Sequence, residues 1–127
     1  MPTRQWSRAI LGRVWPRTDP EVLQTASDAL RAKGIEMLRG AEGLRELARD
    51  TAAKEAGEFV NAFCDTQYEL AAIATHQADD GYLAMSRALA EAADLVYGLR
   101  ENLDEIDRQA EEVIQQLEQA PGHKAVI

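Results

Sequence analysis

An apolar repeat that runs from Tyr82 to Leu117 constrains this chain more than any other sequence feature. Its members recur in alternating steps of three and four residues: Tyr82, Met85, Leu89, Ala92, Val96, Leu99, Leu103, Ile106, Ala110, Val113 and Leu117. We call this set the apolar seam. A sustained period near 3.5 residues is typical of a helix that packs lengthwise against other helices. Such a helix would be about 54 Å long, and Pro121-Gly122 would end it.

The first half of the chain carries an earlier helical pattern. Asp19 can cap a helix whose first turn holds Pro20, and the pattern continues to about Asp50 with leucine or methionine at every seventh position: Leu23, Leu30, Met37 and Leu44. Residues 50–57 carry no apolar stripe and include Gly57, which predicts the turn between helices. A second helix then follows, with large residues at helical spacing: Phe59, Phe63, Thr66, Leu70 and Ile73.

Two details of these helices concern glycine. Asp79-Asp80-Gly81 interrupts the pattern, and the sequence is compatible with either a short break or a kink in a continuous helix. Gly34, Gly40 and Gly43 lie at or near the stripe of the first helix. Since glycine within a helix costs about 1 kcal/mol relative to alanine, we expect another helix to approach closely at these positions.

Together these patterns predict an all-α protein, an elongated antiparallel helical hairpin or bundle of two to three long helices. The 127 residues suffice for one such domain. We expect a flexible basic arm at 1–18, a helical hairpin domain at 19–120 and a flexible tail at 121–127. Cys64 is expected to be a small core residue, and Phe63 and Leu99 are expected to be buried anchors.

Charge is distributed unevenly along the chain. Residues 1–18 contain four arginines and no acid, whereas the rest of the chain carries a net charge of −12. An acidic body repels phosphate backbones, which argues against nucleic-acid binding. The arm could touch an anionic surface, or it could simply be a solvated tail. The acidic residues at 101–112 flank the seam, and we interpret them as the solvated face of a helix.

Other function classes find little support in the sequence. No apolar run reaches 18 residues, so no transmembrane segment is predicted, and residues 1–18 lack the apolar region of a signal peptide. His76 with Asp79 and Asp80 could be imagined as a metal site, but Ile73 occupies the position that a Glu-x-x-His pair requires. Cys64 has no plausible base nearby. We therefore predict a non-enzymatic protein without a cofactor or metal.

Tyr97 does not fit a purely structural account of the last helix. If Val96 and Leu99 occupy the a and d positions of the seam, Tyr97 falls at b and Glu101 at f. Both residues would then lie on the outward face, one helical turn apart. An outward tyrosine is available for recognition by another protein. Alternatively, its ring flanks the seam and covers Leu95 or an adjacent helix.

Several stretches now combine into a family resemblance. The chain has Val14-Trp15-Pro16-Arg17-Thr18-Asp19 before a long helix, the turn segment EAGEFVNAF, and a long helix rich in alanine and leucine. Over roughly residues 14–118 it resembles the ESAT-like, WxG-motif helical hairpins of type VII secretion, and most of all the N-terminal targeting domains of actinobacterial secreted toxins. Gly57 and Phe63 match the glycine and phenylalanine of the turn motif, and Glu55 stands at the position of the tryptophan.

The resemblance implies a function. Tyr97-Gly98-Leu99-Arg100-Glu101 is similar to the family's Tyr-x-x-x-Asp/Glu export signal. It implies a secretion substrate or targeting module, carried to the cell envelope or outside without a signal peptide, whose partners are a secretion ATPase or chaperone and another helical hairpin or a second copy. The seam would face that partner through Leu89, Val96, Leu99, Leu103 and Ile106. The alternative is a cytoplasmic coiled-coil scaffold or adaptor that self-associates.

Overall fold

The computed structural model describes residues 1–120 of the chain, and these residues form helices joined by short connections. In chain order the helices are α1 (Ser7–Leu11), α2 (Pro20–Lys54), α3 (Glu58–His76) and α4 (Ala84–Gln119). A π-helical segment, Gln77–Leu83, joins α3 to α4 without a break. No strand occurs within residues 1–120. The predicted all-α class is therefore confirmed.

The described chain divides into two compact units. We call Glu21–Glu91 the hairpin unit, and residues 1–20 together with residues 92–120 the arm unit. The expected flexible tail at 121–127 lies outside the described residues.

Helix α2 begins at Pro20, where the sequence predicts its first turn. Proline suits this position because its φ angle is already helical and its missing N–H would have no partner there. The helix continues through Lys54, a full turn beyond the expected end near Asp50. The connection is therefore only three residues long and ends at Gly57, whose φ of 131° is a conformation that favours glycine.

The hairpin unit packs helices of opposite direction. The Cys64 Sγ donates a hydrogen bond to the Ala48 carbonyl across 3.3 Å. Farther from the turn, an Arg45 guanidinium nitrogen lies 2.8 Å from the Thr75 hydroxyl. An earlier residue of α2 thus meets a later residue of α3, which is antiparallel packing. Cys64 is buried, as the sequence predicted.

Small side chains form the core of the hairpin unit. The residues with least exposure are Ala41, Ala48, Ala71 and Ala78, followed by Ser27, Ser86 and Cys64. Small residues let two helix backbones approach closely. At Gly34 a Cβ atom would lie 2.7 Å from Leu83 Cδ2, so the predicted close approach is confirmed there. It is wrong for Gly40 and Gly43, which have nothing within 4 Å of that position.

The π-helical segment answers the question that Asp79-Asp80-Gly81 left open. The residues on both sides, His76 and Ala84, have ordinary right-handed helical angles, so the chain stays helical through this region. A π-helix uses i→i+5 hydrogen bonds and therefore turns less per residue than an α-helix. The wider turn accounts for the interruption of the apolar pattern at Asp79-Asp80-Gly81.

The arm differs from the flexible segment that we expected. It contains helix α1, and Ser7 and Leu11 are almost completely buried, at 1% exposure each. The backbone N–H groups of Val14 and Trp15 donate to the Leu11 carbonyl at the end of this helix. Pairing with the second half of α4 gives the arm its conformation, because α1 alone has five residues and is too short to be stable by itself.

The apolar seam of α4 is only partly covered. Leu89, Val96 and Leu103 are half-buried, whereas Leu99 and Ile106 are 47% and 52% exposed. The interpretation of Leu99 and Phe63 as buried anchors is therefore wrong, since Phe63 is also 36% exposed. The covered face of α4 is displaced from the seam by one position, toward Ala93, Arg100 and Asp107.

Candidate functional site

Tyr97 and Glu101 lie on the exposed surface of α4. Tyr97 is 41% exposed and Glu101 is also classed as exposed, and their four-residue spacing places them one turn apart on the same side of the helix. Neither side chain makes a hydrogen bond or ion pair with another residue among 1–120. The phenol and the carboxylate are thus both accessible to an external protein. Whether they form an export signal remains a prediction.

Arg100 lies between these two residues in sequence, and its side chain contacts the arm. Its guanidinium carbon lies 5.7 Å from the centre of the Trp15 ring, within the range of a cation–π contact. One of its terminal nitrogens donates to the Thr18 carbonyl across 3.3 Å. The arm therefore ends beside the Tyr97–Glu101 turn of α4.

An apolar stripe runs along the open side of α4 in the arm unit. Its members are about half exposed or more and are separated by steps of four and seven residues: Leu95, Leu99, Ile106, Val113 and Leu117. Those steps place all five on one narrow face of an α-helix. We call this set the open stripe. An apolar face of this length is typical of a surface that another protein covers.

The opposite edge of the seam holds buried acids. Asp107 is 0% exposed and Glu111 is 5% exposed. The interpretation of the 101–112 run as a solvated face is wrong for these two residues, because the arm covers them. Asp104 lies at the border of the same cluster, and we call Asp104, Asp107 and Glu111 the acidic recess.

The arm supplies the groups that fill the acidic recess. Arg4 Nη1 lies 2.7 Å from Asp104 Oδ1 and 2.9 Å from Asp107 Oδ2. The Ser7 hydroxyl donates to the same Asp107 oxygen across 2.7 Å. The Trp6 backbone N–H donates to a Glu111 carboxylate oxygen. The hydrogen bonds that Arg4 donates raise its pKa above the ordinary value. The bond to Asp104 has the larger effect and the bond to Asp107 the next largest.

A second set of charges lies on the solvent side of α4. Arg108 donates two hydrogen bonds to Glu105 and one to Glu112. The hydrogen bonds from Arg108 lower the pKa of Glu105 to about 2, and the same pairing raises the pKa of Arg108. All three side chains are about half exposed, so their interaction is screened by water and salt.

The turn motif forms a small exposed aromatic patch. Phe59 is 86% exposed, and with Phe63 it lines a shallow recess of about 250 Å³ that Thr51, Glu55 and Val60 complete. Gly57 shapes the turn, but a Cβ placed there would meet nothing within 4 Å. The glycine is thus required by its backbone angle rather than by a close neighbour.

The hairpin unit also contains a polar contact that the sequence analysis missed. The Ser27 hydroxyl donates to the Ser86 carbonyl and the Ser86 hydroxyl donates to the Ser27 carbonyl, each across 2.7 Å. These residues lie in a groove of about 500 Å³ that also includes Arg31 and Arg87. The only sequence signal was that Ser27 is a small residue beside the apolar stripe of α2.

The metal site considered at His76 is a single contact between two side chains in the structure. His76 Nδ1 lies 2.7 Å from Asp80 Oδ2, and both side chains are mostly exposed. Within residues 1–120, no group of three histidine, cysteine, aspartate or glutamate side chains is arranged to hold a metal ion.

None of the helices in the described part of the chain has both the length and the apolar character that crossing a membrane requires. Comparison of the chain with protein-family models, with curated proteins and with solved structures finds no match.

Proposed function

We propose that this chain is a non-enzymatic substrate or targeting module of type VII secretion. Its task in this proposal is recognition: α4 presents Tyr97 and Glu101 to the secretion ATPase or a chaperone, and a second helical hairpin or another copy of the chain covers the apolar face of the same helix. The protein would reach the cell envelope or the medium without a signal peptide.

The observation that carries this proposal is the exposure of Tyr97 and Glu101 on one side of a regular helix. A tyrosine that the core needs would be buried, whereas this one is 41% exposed and lacks a hydrogen-bond partner among residues 1–120. The backbone of α4 holds the two side chains one turn apart before any partner arrives. Less conformational freedom is then lost on binding than a disordered signal would lose.

The open stripe supports the pairing part of the proposal. Leu95, with 75% exposure, and Ile106, with 52%, offer apolar area that a partner helix could remove from water. Burial of such area is the main favourable term in helix association.

Export assayed with a matched pair of tyrosine variants tests the proposal. Tyr97→Ala and Tyr68→Ala remove tyrosines of nearly equal exposure, 41% and 43%, from α4 and α3. Both proteins should fold, because neither ring is buried. In a host with an active type VII system, we expect the wild type and Tyr68→Ala in the culture filtrate and Tyr97→Ala in the lysate. Deletion of the ATPase should retain all three.

Normal export of a folded Tyr97→Ala protein would contradict the signal, and export that persists without the ATPase would contradict the route. Glu101→Gln sharpens the test, since it removes only the charge of the second residue. We expect it to reduce export while leaving the thermal unfolding temperature unchanged.

The open stripe also favours the second candidate function, a cytoplasmic coiled-coil scaffold that self-associates. On this reading the stripe pairs with its copy and Tyr97 has no role. Sedimentation of the wild type and an Ile106→Lys variant separates the two functions. A concentration-dependent dimer that Ile106→Lys abolishes, combined with retention of the wild type in the lysate, would favour the scaffold over the secretion substrate.

A further inference from the structure

The carboxylate of Asp107 is the most completely buried charge in the described chain. The side chain has no exposed area, and its Oδ2 accepts hydrogen bonds from Arg4 Nη1 and the Ser7 hydroxyl. Its second oxygen, Oδ1, is buried and has no hydrogen-bond partner within residues 1–120. A buried carboxylate is strongly unfavourable unless it is paired. The burial of Asp107 therefore depends on the arm, and above all on Arg4.

Arg4 can also leave this position without disturbing a helix. It lies before α1, its side chain is 34% exposed, and it reaches α4 across 103 residues of sequence. If Arg4 is lost, a docked arm would leave a buried and unneutralised carboxylate. An undocked arm would let water solvate Asp107. Removal of this one guanidinium should therefore shift the equilibrium toward the undocked state.

The other contacts of the arm are a buried Leu11, the hydrogen bond from the Ser7 hydroxyl to Asp107 and that from the Trp6 backbone N–H to Glu111. Among residues 1–18, only Ser7 and Leu11 are classed as buried. Trp15 stacks on Arg100, and the Thr18 carbonyl accepts a single long hydrogen bond. The contacts of Trp15 and Thr18 lie at the C-terminal end of the arm, and the ion pair with the acidic recess lies at its N-terminal end.

We propose that the arm is a releasable strap, held on α4 by the pairing of Arg4 with Asp107, and that it covers a docking surface for a basic segment of another protein. In the closed state Arg4 and Ser7 occupy the acidic recess, and Leu11 is buried. In the open state the recess presents Asp104, Asp107 and Glu111. A segment with an arginine followed by an apolar helical turn has the chemistry to replace the strap.

Tryptophan fluorescence can measure the strap by itself, because both tryptophans of the chain, Trp6 and Trp15, lie in the arm. Helix content is read independently by circular dichroism. Arg4→Met keeps an unbranched side chain, although a shorter one, and removes its charge. Arg8→Met is the matched control, since Arg8 lies in the same arm, is exposed, and makes no ion pair within residues 1–120. The double variant, Arg4→Met combined with Asp107→Asn, removes both charges of the pair. Asparagine has nearly the same shape as the aspartate that it replaces.

We expect Arg4→Met to shift the tryptophan emission to longer wavelength and to raise acrylamide quenching several-fold, with nearly unchanged helix content. Arg8→Met should match the wild type. The double variant should return toward the wild-type emission, because the buried carboxylate that Arg4 neutralises is then absent. Wild-type emission from a folded Arg4→Met protein would overturn the proposal. So would a double variant that stays as open as Arg4→Met.

A dye-labelled peptide with the sequence of residues 1–18 tests the docking surface. It should bind the open Arg4→Met protein at least tenfold more tightly than the wild type, whose own strap occupies the recess. The same peptide with Arg4→Met should not discriminate between the two proteins. Equal binding of the unaltered peptide to both proteins would contradict a covered surface.

Discussion

The two units bury a helix face by opposite means. In the hairpin unit the covered positions are alanines, serines, a glycine and a cysteine, and Leu83 lies directly over Gly34. In the arm unit the covered positions of α4 include Asp107 and Glu111, which are held by hydrogen bonds from the arm. The contact in the hairpin unit requires small side chains that let the helices approach closely. The contact in the arm unit requires groups that pair with buried carboxylates.

The difference shows how each contact can respond to change. Closely packed small side chains have few alternatives, since an added carbon atom must displace a neighbour. A charged contact is stable only while its partner is present, and loss of that partner penalises the closed state. The hairpin unit therefore has the properties of a fixed framework, and the arm unit has those of a contact that another molecule could compete for.

The largest expected effect comes from Leu11, the largest apolar side chain that is fully buried in the described part of the arm unit. Leu11→Ala should lower the free energy of unfolding by about 2–5 kcal/mol, because Leu11 is 1% exposed and its truncation leaves a cavity. Leu99→Ala is the control, with the same substitution at a residue that is 47% exposed. It should cost less than about 1 kcal/mol. Urea unfolding followed by circular dichroism measures both.

Equal losses for these two variants would mean that the arm contributes no more than an exposed leucine of α4. Such a result would contradict the conclusion that the arm is packed against the rest of its unit.

A pair of glycine substitutions tests the space-limited contact of the hairpin unit. Gly34→Ala places a Cβ 2.7 Å from Leu83 Cδ2 and 2.8 Å from Leu83 Cγ, so Leu83 must move. Alanine gains about 1 kcal/mol in helix propensity, but the displacement of Leu83 costs more. We therefore expect the free energy of unfolding to fall by about 1 kcal/mol in total. Gly40→Ala meets nothing within 4 Å and should stabilise the protein by up to about 1 kcal/mol. Thermal unfolding measures the opposite signs.

Stabilisation by both alanines would show that Leu83 adapts without cost, and that space does not limit this contact. Destabilisation by both would show that the surroundings of Gly40 are not open.

The smallest expected effect concerns the solvent-side charges of α4, where the pairing is exposed. The folded-state pKa of Glu105 is about 2, below its ordinary value of 4.5, because Arg108 donates hydrogen bonds to the ionised form. Its stabilisation is therefore present above about pH 4.5 and is lost as the pH falls through about 2. A carboxyl-carbon NMR titration should give this low midpoint, and Arg108→Met should raise it toward the ordinary value. An unchanged midpoint in Arg108→Met would assign the shift to another cause.

Much of the architecture was predictable because it depends on local chemistry. Pro20 begins α2 through its fixed φ, and Gly57 forms the turn through its freedom to adopt a positive φ. The period of the seam predicted a long last helix, and α4 runs from Ala84 to Gln119. The burial of Cys64 followed from its place in a helical pattern. None of these inferences required knowledge of distant residues.

The candidate site was predictable only in part. Tyr97 and Glu101 are exposed, in agreement with the outward positions assigned from the seam. The acidic recess was not found, because the sequence pattern around Asp107 looks the same whether water or an arm covers it. Its position four residues before Glu111, beside the seam, was the available signal, and Arg4 is its distant partner.

The sequence by itself determined that the chain is helical, where α2 begins, and which residue shapes the turn, because these features depend on propensity and on backbone angles within a few residues. Only the tertiary structure decided which edge of the α4 seam is covered. A 3.5-residue period defines a stripe, but it does not say whether the leucine edge or the acidic edge of that stripe is covered. The choice between them depends on which side chains the distant arm can offer, and here it offers Arg4 and Ser7 to Asp107.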